Sequence, residues 1–190
     1  MGKVYERIDD HVRAFIEGQQ MFFVATAPLD SAGHVNVSPK GLDTLRILSP
    51  RTIAYLDYVG SGAETIAHLN ENGRIVLMVC AFQGSPNIMR LYGRGEAQEP
   101  QDAEYQRLRP LFPESPSGRA IITIEIDRIA DSCGFGVPLY QYERQRSHLL
   151  DWAGRKGEDG LRTYQSERNA RSIDGLPALD WTRQPDPIRP

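Results

Sequence analysis

The chain has 190 residues and a mass of 21.4 kDa, with 40% apolar and 25% charged residues, which suits one domain with a sizeable core and excludes a disordered chain. A formal net charge of −3 and a pI near 5.8 offer no general attraction to nucleic acid or anionic membrane. No apolar run reaches the roughly 20 residues of a membrane helix, the opening MGKVYERIDD lacks the apolar core of a secretory signal, and two cysteines are too few for a disulfide framework, so a cytoplasmic address is expected.

In chain order, residues 9–19 predict a helix, with Asp9 or Asp10 as cap and Val12, Phe15 and Ile16 on one face. FFVATA (22–27) reads as a buried strand, PLDSAG as turn chemistry, and HVNVSPKG (34–41) as the second arm of a hairpin. TIAYLDY (52–58) is another strand. It leads through Gly60-Ser61-Gly62 into a helix over 63–71, which Asn72-Gly73 ends in a left-handed cap. RIVLMVCAF (74–82) predicts a central strand in which Cys80 is a small buried residue. IMRLYGRGEAQ (88–98) predicts a strand whose Gly93 and Gly95 mark a bulge or close backbone approach. After Pro100 a helix turns Tyr105, Leu108 and Phe112 inward, and RAIITIEIDRIAD (119–131) is rich in β-branched residues. Residues 140–171 are charged and helix-like, with Leu149, Leu150 and Trp152 as apolar contacts, and TRQPDPIRP reads as an extended or disordered end.

Six strands joined mostly by short connections predict a mainly β, α+β architecture: an antiparallel sheet closed into a barrel, with peripheral helices. The barrel is expected over 1–138, with 139–190 as a helical extension of the same domain and a proline-rich tail.

The strand–turn–helix at 52–72 presents free backbone N–H groups, Ser61 and Thr65 around a helix N-terminus, where an anion such as phosphate is stabilised. The turn is neither a Walker loop nor a Rossmann fingerprint, and on its own reads as an ordinary flexible connection. Ser38 and Lys40 share a strand face and could add a hydroxyl and an ammonium. Arg90 sits between Met89 and Leu91, where a half-buried guanidinium wants an anionic partner.

The ordered segments FVATA, VNVSPKG, YLDY, GSGAETIAHLNENGRIVLMVCAF and PNIMRLYGRGE resemble the pyridoxamine 5′-phosphate oxidase-like family of FMN-binding split barrels, over about residues 8–131. The resemblance implies a six-stranded split barrel and a homodimer with FMN at the subunit interface. It places the ring along Asn36, Val37, Ser38 and Lys40 and along Tyr55, Leu56 and Asp57, and the phosphate at Ser61, Gly62 and Thr65, with Lys40 and Arg90 supplying charge. It implies an FMN-dependent oxidoreductase acting on a small molecule. Alternatives are a flavin- or haem-holding module without turnover, or a deazaflavin-dependent reductase.

The departures are specific. Ser-Gly-Ala-Glu stands where the authentic oxidases carry Ser-Arg-Lys, Val35 stands for an arginine and Ile88 for a glutamine, which argues against oxidation of pyridoxamine phosphate itself. Histidines 11, 34 and 68 read as surface or helix-face residues, with Glu64 and His68 spaced to pair, and no metal site is expected. Cys133 is expected to be partly exposed among glycines, with burial as its plainer role. The arginines between 144 and 171 alternate with acids, which predicts a salt-bridged solvated helix rather than a nucleic-acid surface.

Overall fold

A computed structural model describes residues 2–180, so the tail TRQPDPIRP lies outside the described residues. Helix α1 (Asp10–Glu17) starts where the Val12 N–H donates to Asp9 Oδ1 at 2.9 Å, and it buries Val12 and Ile16. The expected strands appear as β2 (Phe22–Thr26), β3 (Asn36–Lys40), β5 (Thr52–Tyr58), β6 (Arg74–Cys80), β7 (Ile88–Gln98) and β8 (Gly118–Ser132). Two further strands join them, β1 (Val4–Tyr5) and β4 (Leu45–Ser49). Strand β4 gives no alternating signal because every one of its residues is half-buried, Arg46 included.

All pairings are antiparallel, in the order β3-β2-β6-β7-β8-β5-β4, with β1 added to β8. Strands β3 and β4 end this path, so the barrel is split there rather than closed. The strand carrying Gly93 shifts register between Tyr92 and Gly93, and a Cβ at that glycine would meet the Glu125 backbone.

The main core gathers Val24, Leu77, Leu91, Ile124 and Ile129 with α1 and the buried face of α2 (Glu64–Asn72). Helix α2 ends on Gly73 at φ 69°, the left-handed stop. A second cluster packs Ala54, Leu56 and Ile121 against Tyr105, Leu108 and Phe112, from α3 (Ala103–Leu108) and the turn after it.

The C-terminal region differs from its helical expectation. Residues 140–147 form no regular element, and α4 (His148–Arg168) breaks at Gly157. Ala153 and Leu161 of α4 pack on Val59 beside half-buried Trp152 and Tyr164, while Leu150 faces solvent. Among the described residues none of the α4 arginines forms an ion pair; this surface is solvated but not salt-bridged. A bridge between Arg171 and Pro177 then forms a hairpin, and Ala178 and Leu179 return to the main core. No helix among the described residues is long and apolar enough to cross a membrane.

Candidate functional site

The site is organised by one carboxylate. Asp57 is fully buried near the end of β5; its Oδ1 accepts from Lys40 Nζ at 2.6 Å and its Oδ2 from Arg119 Nε at 2.9 Å. Burial pushes the Asp57 pKa up, but Arg119 and Lys40 together outweigh burial and hold it down at about 2. Arg119 is itself buried in β8, and its Nη1 donates to the Gly62 carbonyl at 2.8 Å, tying the sheet to the glycine-serine-glycine turn. Sequence reading missed Arg119. The signal was Asp57 itself, since a carboxylate inside an apolar strand requires a buried cation from a neighbouring strand.

Along β3, Asn36, Ser38 and Lys40 face inward, as period-two alternation requires, while Val37 and Pro39 face solvent. Among the described residues strand β3 pairs with β2 alone, so this polar row lies beside an open sheet edge. Asn36 Nδ2 donates to Thr65 Oγ1 at 2.9 Å and Ser38 Oγ to Asn36 Oδ1 at 3.2 Å. Thr65 lies in the first turn of α2, so the row connects directly to the helix end.

Tyr55 is completely buried and its hydroxyl lacks a well-formed hydrogen bond, interacting with Thr65, Asp57 and Arg119 nearby. Burial pushes its pKa far up, and Asp57 adds to that effect. His68 does not pair with Glu64. It is buried under the row with Nδ1 hydrogen-bonded to Thr26 Oγ1 at 2.9 Å, and burial lowers its pKa.

The N-terminus of α2 has Ala63 at its cap position and no side-chain cap, so its first N–H groups are available to an anion. A carboxylate already stands beside them, although none of the α2 N–H groups donates to that carboxylate. The Glu64 carboxylate folds back over Gly62, where an added Cβ would collide with it, and Glu64 Oε1 accepts from the Ile173 N–H at 3.3 Å. The hairpin bearing Ile173 is fixed on both sides. Asn169 Nδ2 donates to the Gly60 carbonyl at 3.0 Å, and Asp174 receives the His34 N–H at 2.8 Å while pairing with His34 Nδ1 at 2.7 Å.

Of the residues singled out in the sequence, Asn36, Ser38, Lys40, Tyr55, Asp57, Gly62 and Thr65 converge on this region. Ser61 is exposed at its rim. The side chain of Leu56 instead enters the second cluster, and its N–H donates to the Thr44 carbonyl at 2.9 Å. Val37 lies on the outer face and is 61% exposed. Arg90 lies on that same outer face, in the row Pro39, Phe23, Met78, Arg90, and its Nη1 donates to Ser132 Oγ at 3.0 Å. It is therefore separated from Lys40, whose row runs through buried Phe22, Val79 and Met89. That outer face joins Val37, Ala25, Val76 and Tyr92 into an accessible apolar surface.

A flavin phosphate meets these residues unevenly. The strip along β3 offers donors, an acceptor and an ammonium suited to a polar ring edge and a hydroxylated chain. Near the helix end, Lys40 and Arg119 are both committed to Asp57, and the Glu64 carboxylate stands against Gly62. The phosphate fits there only where the carboxylate gives way.

The fold and site define a split-barrel protein with a charge-bearing polar strip at the open edge of its sheet. Residues 8–133 match the pyridoxamine 5′-phosphate oxidase family. The Aspergillus flavus pyridoxamine 5′-phosphate oxidase family protein ustO is 39% identical over 194 residues, covering 92% of this chain and 77% of ustO. HupZ of Group A Streptococcus superposes with a TM-score of 0.52 at 20% identity, covering 70% of this chain and 99% of HupZ. A substituted form of HupZ gives 0.51 at 22% identity, with 66% and 99% covered; at such identities the likeness speaks for the fold alone. The chain belongs to the pyridoxamine 5′-phosphate oxidase family.

Proposed function

We propose that the protein is an FMN-dependent oxidoreductase that works as a homodimer on a small-molecule substrate. The observation that carries this reading is the inward polar row Asn36, Ser38 and Lys40 on the open edge of β3, running into Thr65 and the Tyr55–Asp57–Arg119 cluster. Family membership supports it. The isoalloxazine would lie along β3, with Lys40 and the free backbone edge toward its polar rim, and the ribityl chain would run toward Thr65 and Tyr55. A bound flavin supplies the electron chemistry, while these side chains orient it and set the electrostatics around it.

The outer sheet face supports the homodimer. Val35 is 71% exposed and Val37 61%, and they continue into half-buried Phe23, Ala25, Val76 and Met78. An apolar sheet face of this kind is covered by a partner in a stable assembly. Arg90 on that face would then lie at the interface, within reach of the partner's ligand.

The reading is tested by the visible spectrum of the protein purified without added cofactor, with mass identification of any chromophore released. A flavin spectrum with FMN supports it; a colourless protein that binds no added flavin rules it out. Anaerobic bleaching by NADH or NADPH then separates turnover from simple carriage. Val37→Asp should convert the dimer to monomer in sedimentation, with dissociation at least about tenfold easier, the scale of about 1.4 kcal/mol. An unchanged dimer would place the interface elsewhere.

A further inference from the structure

Resting on the flavin reading above, we infer that Glu64 is a charge gate at the phosphate end of the site, and that it sets how the protein ranks a 5′-phosphorylated flavin against the unphosphorylated one.

The carboxylate stands in a built position rather than on a loose surface arm. It opens α2, where the uncapped N–H groups and the helix dipole favour negative charge. The Ile173 N–H holds it from the other side. The hairpin that supplies this N–H is anchored by buried Asn169 on the Gly60 carbonyl, by Asp174 on His34, and by Ala178 and Leu179 in the main core. Glu64 is thereby held beside the turn by a strap with anchors of its own.

One buried polar atom beside the turn has no hydrogen-bond partner: Asn169 Oδ1, on the side chain whose Nδ2 holds the Gly60 carbonyl. An unused buried acceptor beside the turn points to a ligand with a hydrogen-bond donor that reaches it. The charge present there decides which ligand. Lys40 and Arg119 are matched by Asp57 and Glu64, two cations against two carboxylates, so a phosphate dianion enters a neutral site and meets Glu64 directly. A terminal hydroxyl meets the opposite situation, because it donates to the carboxylate in a charge-assisted hydrogen bond. The site thus tolerates riboflavin unusually well and holds FMN below the affinity its backbone cradle would otherwise give.

The test uses the full-length protein, freed of co-purified flavin, titrated with FMN and with riboflavin by fluorescence quenching. The wild-type protein is expected to prefer FMN by less than about tenfold. Glu64→Gln keeps the shape and the Ile173 contact but removes the charge. It should tighten FMN by about tenfold or more, as expected for relief of one partly screened charge contact, and leave riboflavin unchanged or slightly weaker. Should Glu64→Gln fail to fold, Glu64→Ala, which also removes the charge, carries the same expectation for FMN. Wild-type protein that binds FMN about a hundredfold or more tighter than riboflavin, or a variant that shifts both flavins equally, overturns the gate and leaves the flavin reading standing. Failure of either flavin to bind either protein overturns both.

Discussion

Two carboxylates stand on either side of the Gly60–Gly62 turn, and their surroundings are opposite. Asp57 ends a strand, is wholly buried and receives two cations; Glu64 opens a helix, is half-exposed and, among the described residues, has no cation within ion-pair distance. The strand end is a fixed structural charge cluster, because desolvation has been met by close, hydrogen-bonded partners. The charge at the helix end is held by the Ile173 N–H and the helix dipole, which a ligand can compete for. Rigidity belongs to the first carboxylate and selectivity to the second.

Substitution at the strand end should have the largest effect. Asp57→Asn leaves Lys40 and Arg119 facing each other without their shared anion, and should cost about 3–5 kcal/mol of unfolding free energy in urea titration. A loss below about 1 kcal/mol would mean that solvent reaches the cluster.

Acid should act on the same group. The folded pKa of Asp57, about 2, lies below that of an unfolded aspartate. A depressed folded value contributes stability that is present above the unfolded pKa of about 3.9 and is lost as pH falls through the folded one, so unfolding should become easier between about pH 4 and pH 2, by about 2 kcal/mol. Asp57→Asn should flatten that part of the pH profile; an unaltered profile would assign the acid transition to other carboxylates.

The strap comes next. Asn169→Ala removes the bond to the Gly60 carbonyl and should cost about 1–2 kcal/mol. Faster amide exchange in residues 171–175 than in β5 would show that the loss is local. Glu64→Gln should cost least, about 0.3–1 kcal/mol, since only the helix-dipole contribution is removed. A loss as large as that of Asp57→Asn would erase the distinction between the two carboxylates.

Much of this contrast was legible in the sequence. Alternation in VNVSPK put Asn36, Ser38 and Lys40 on one face, and the β-branched run after Arg119 identified β8 as a strand. Six strands could be read because each has either alternation or an unbroken apolar run. Strand β4 could not, because an edge strand half-buried on both faces carries neither. The site's long-range parts were hidden for a different reason. Arg119 lies 62 positions from Asp57 and Ile173 lies 109 from Glu64, and pairings of that span leave no local periodicity. Arg90 shows the converse. Its strand and its half-burial were readable, but the face it shares with Phe23 and Met78 rather than with Lys40 depends on the register of three strands.

The most direct measurement sets the two sides of the turn against each other: FMN dissociation constants for Lys40→Met and Glu64→Gln, each against the wild-type protein at one ionic strength. Removing the ammonium should weaken FMN by about tenfold and removing the carboxylate should tighten it by about tenfold, opposite signs on the same ligand. Two changes of the same sign, or none in either variant, would contradict an FMN site that runs from Lys40 at the ring to Glu64 at the phosphate end.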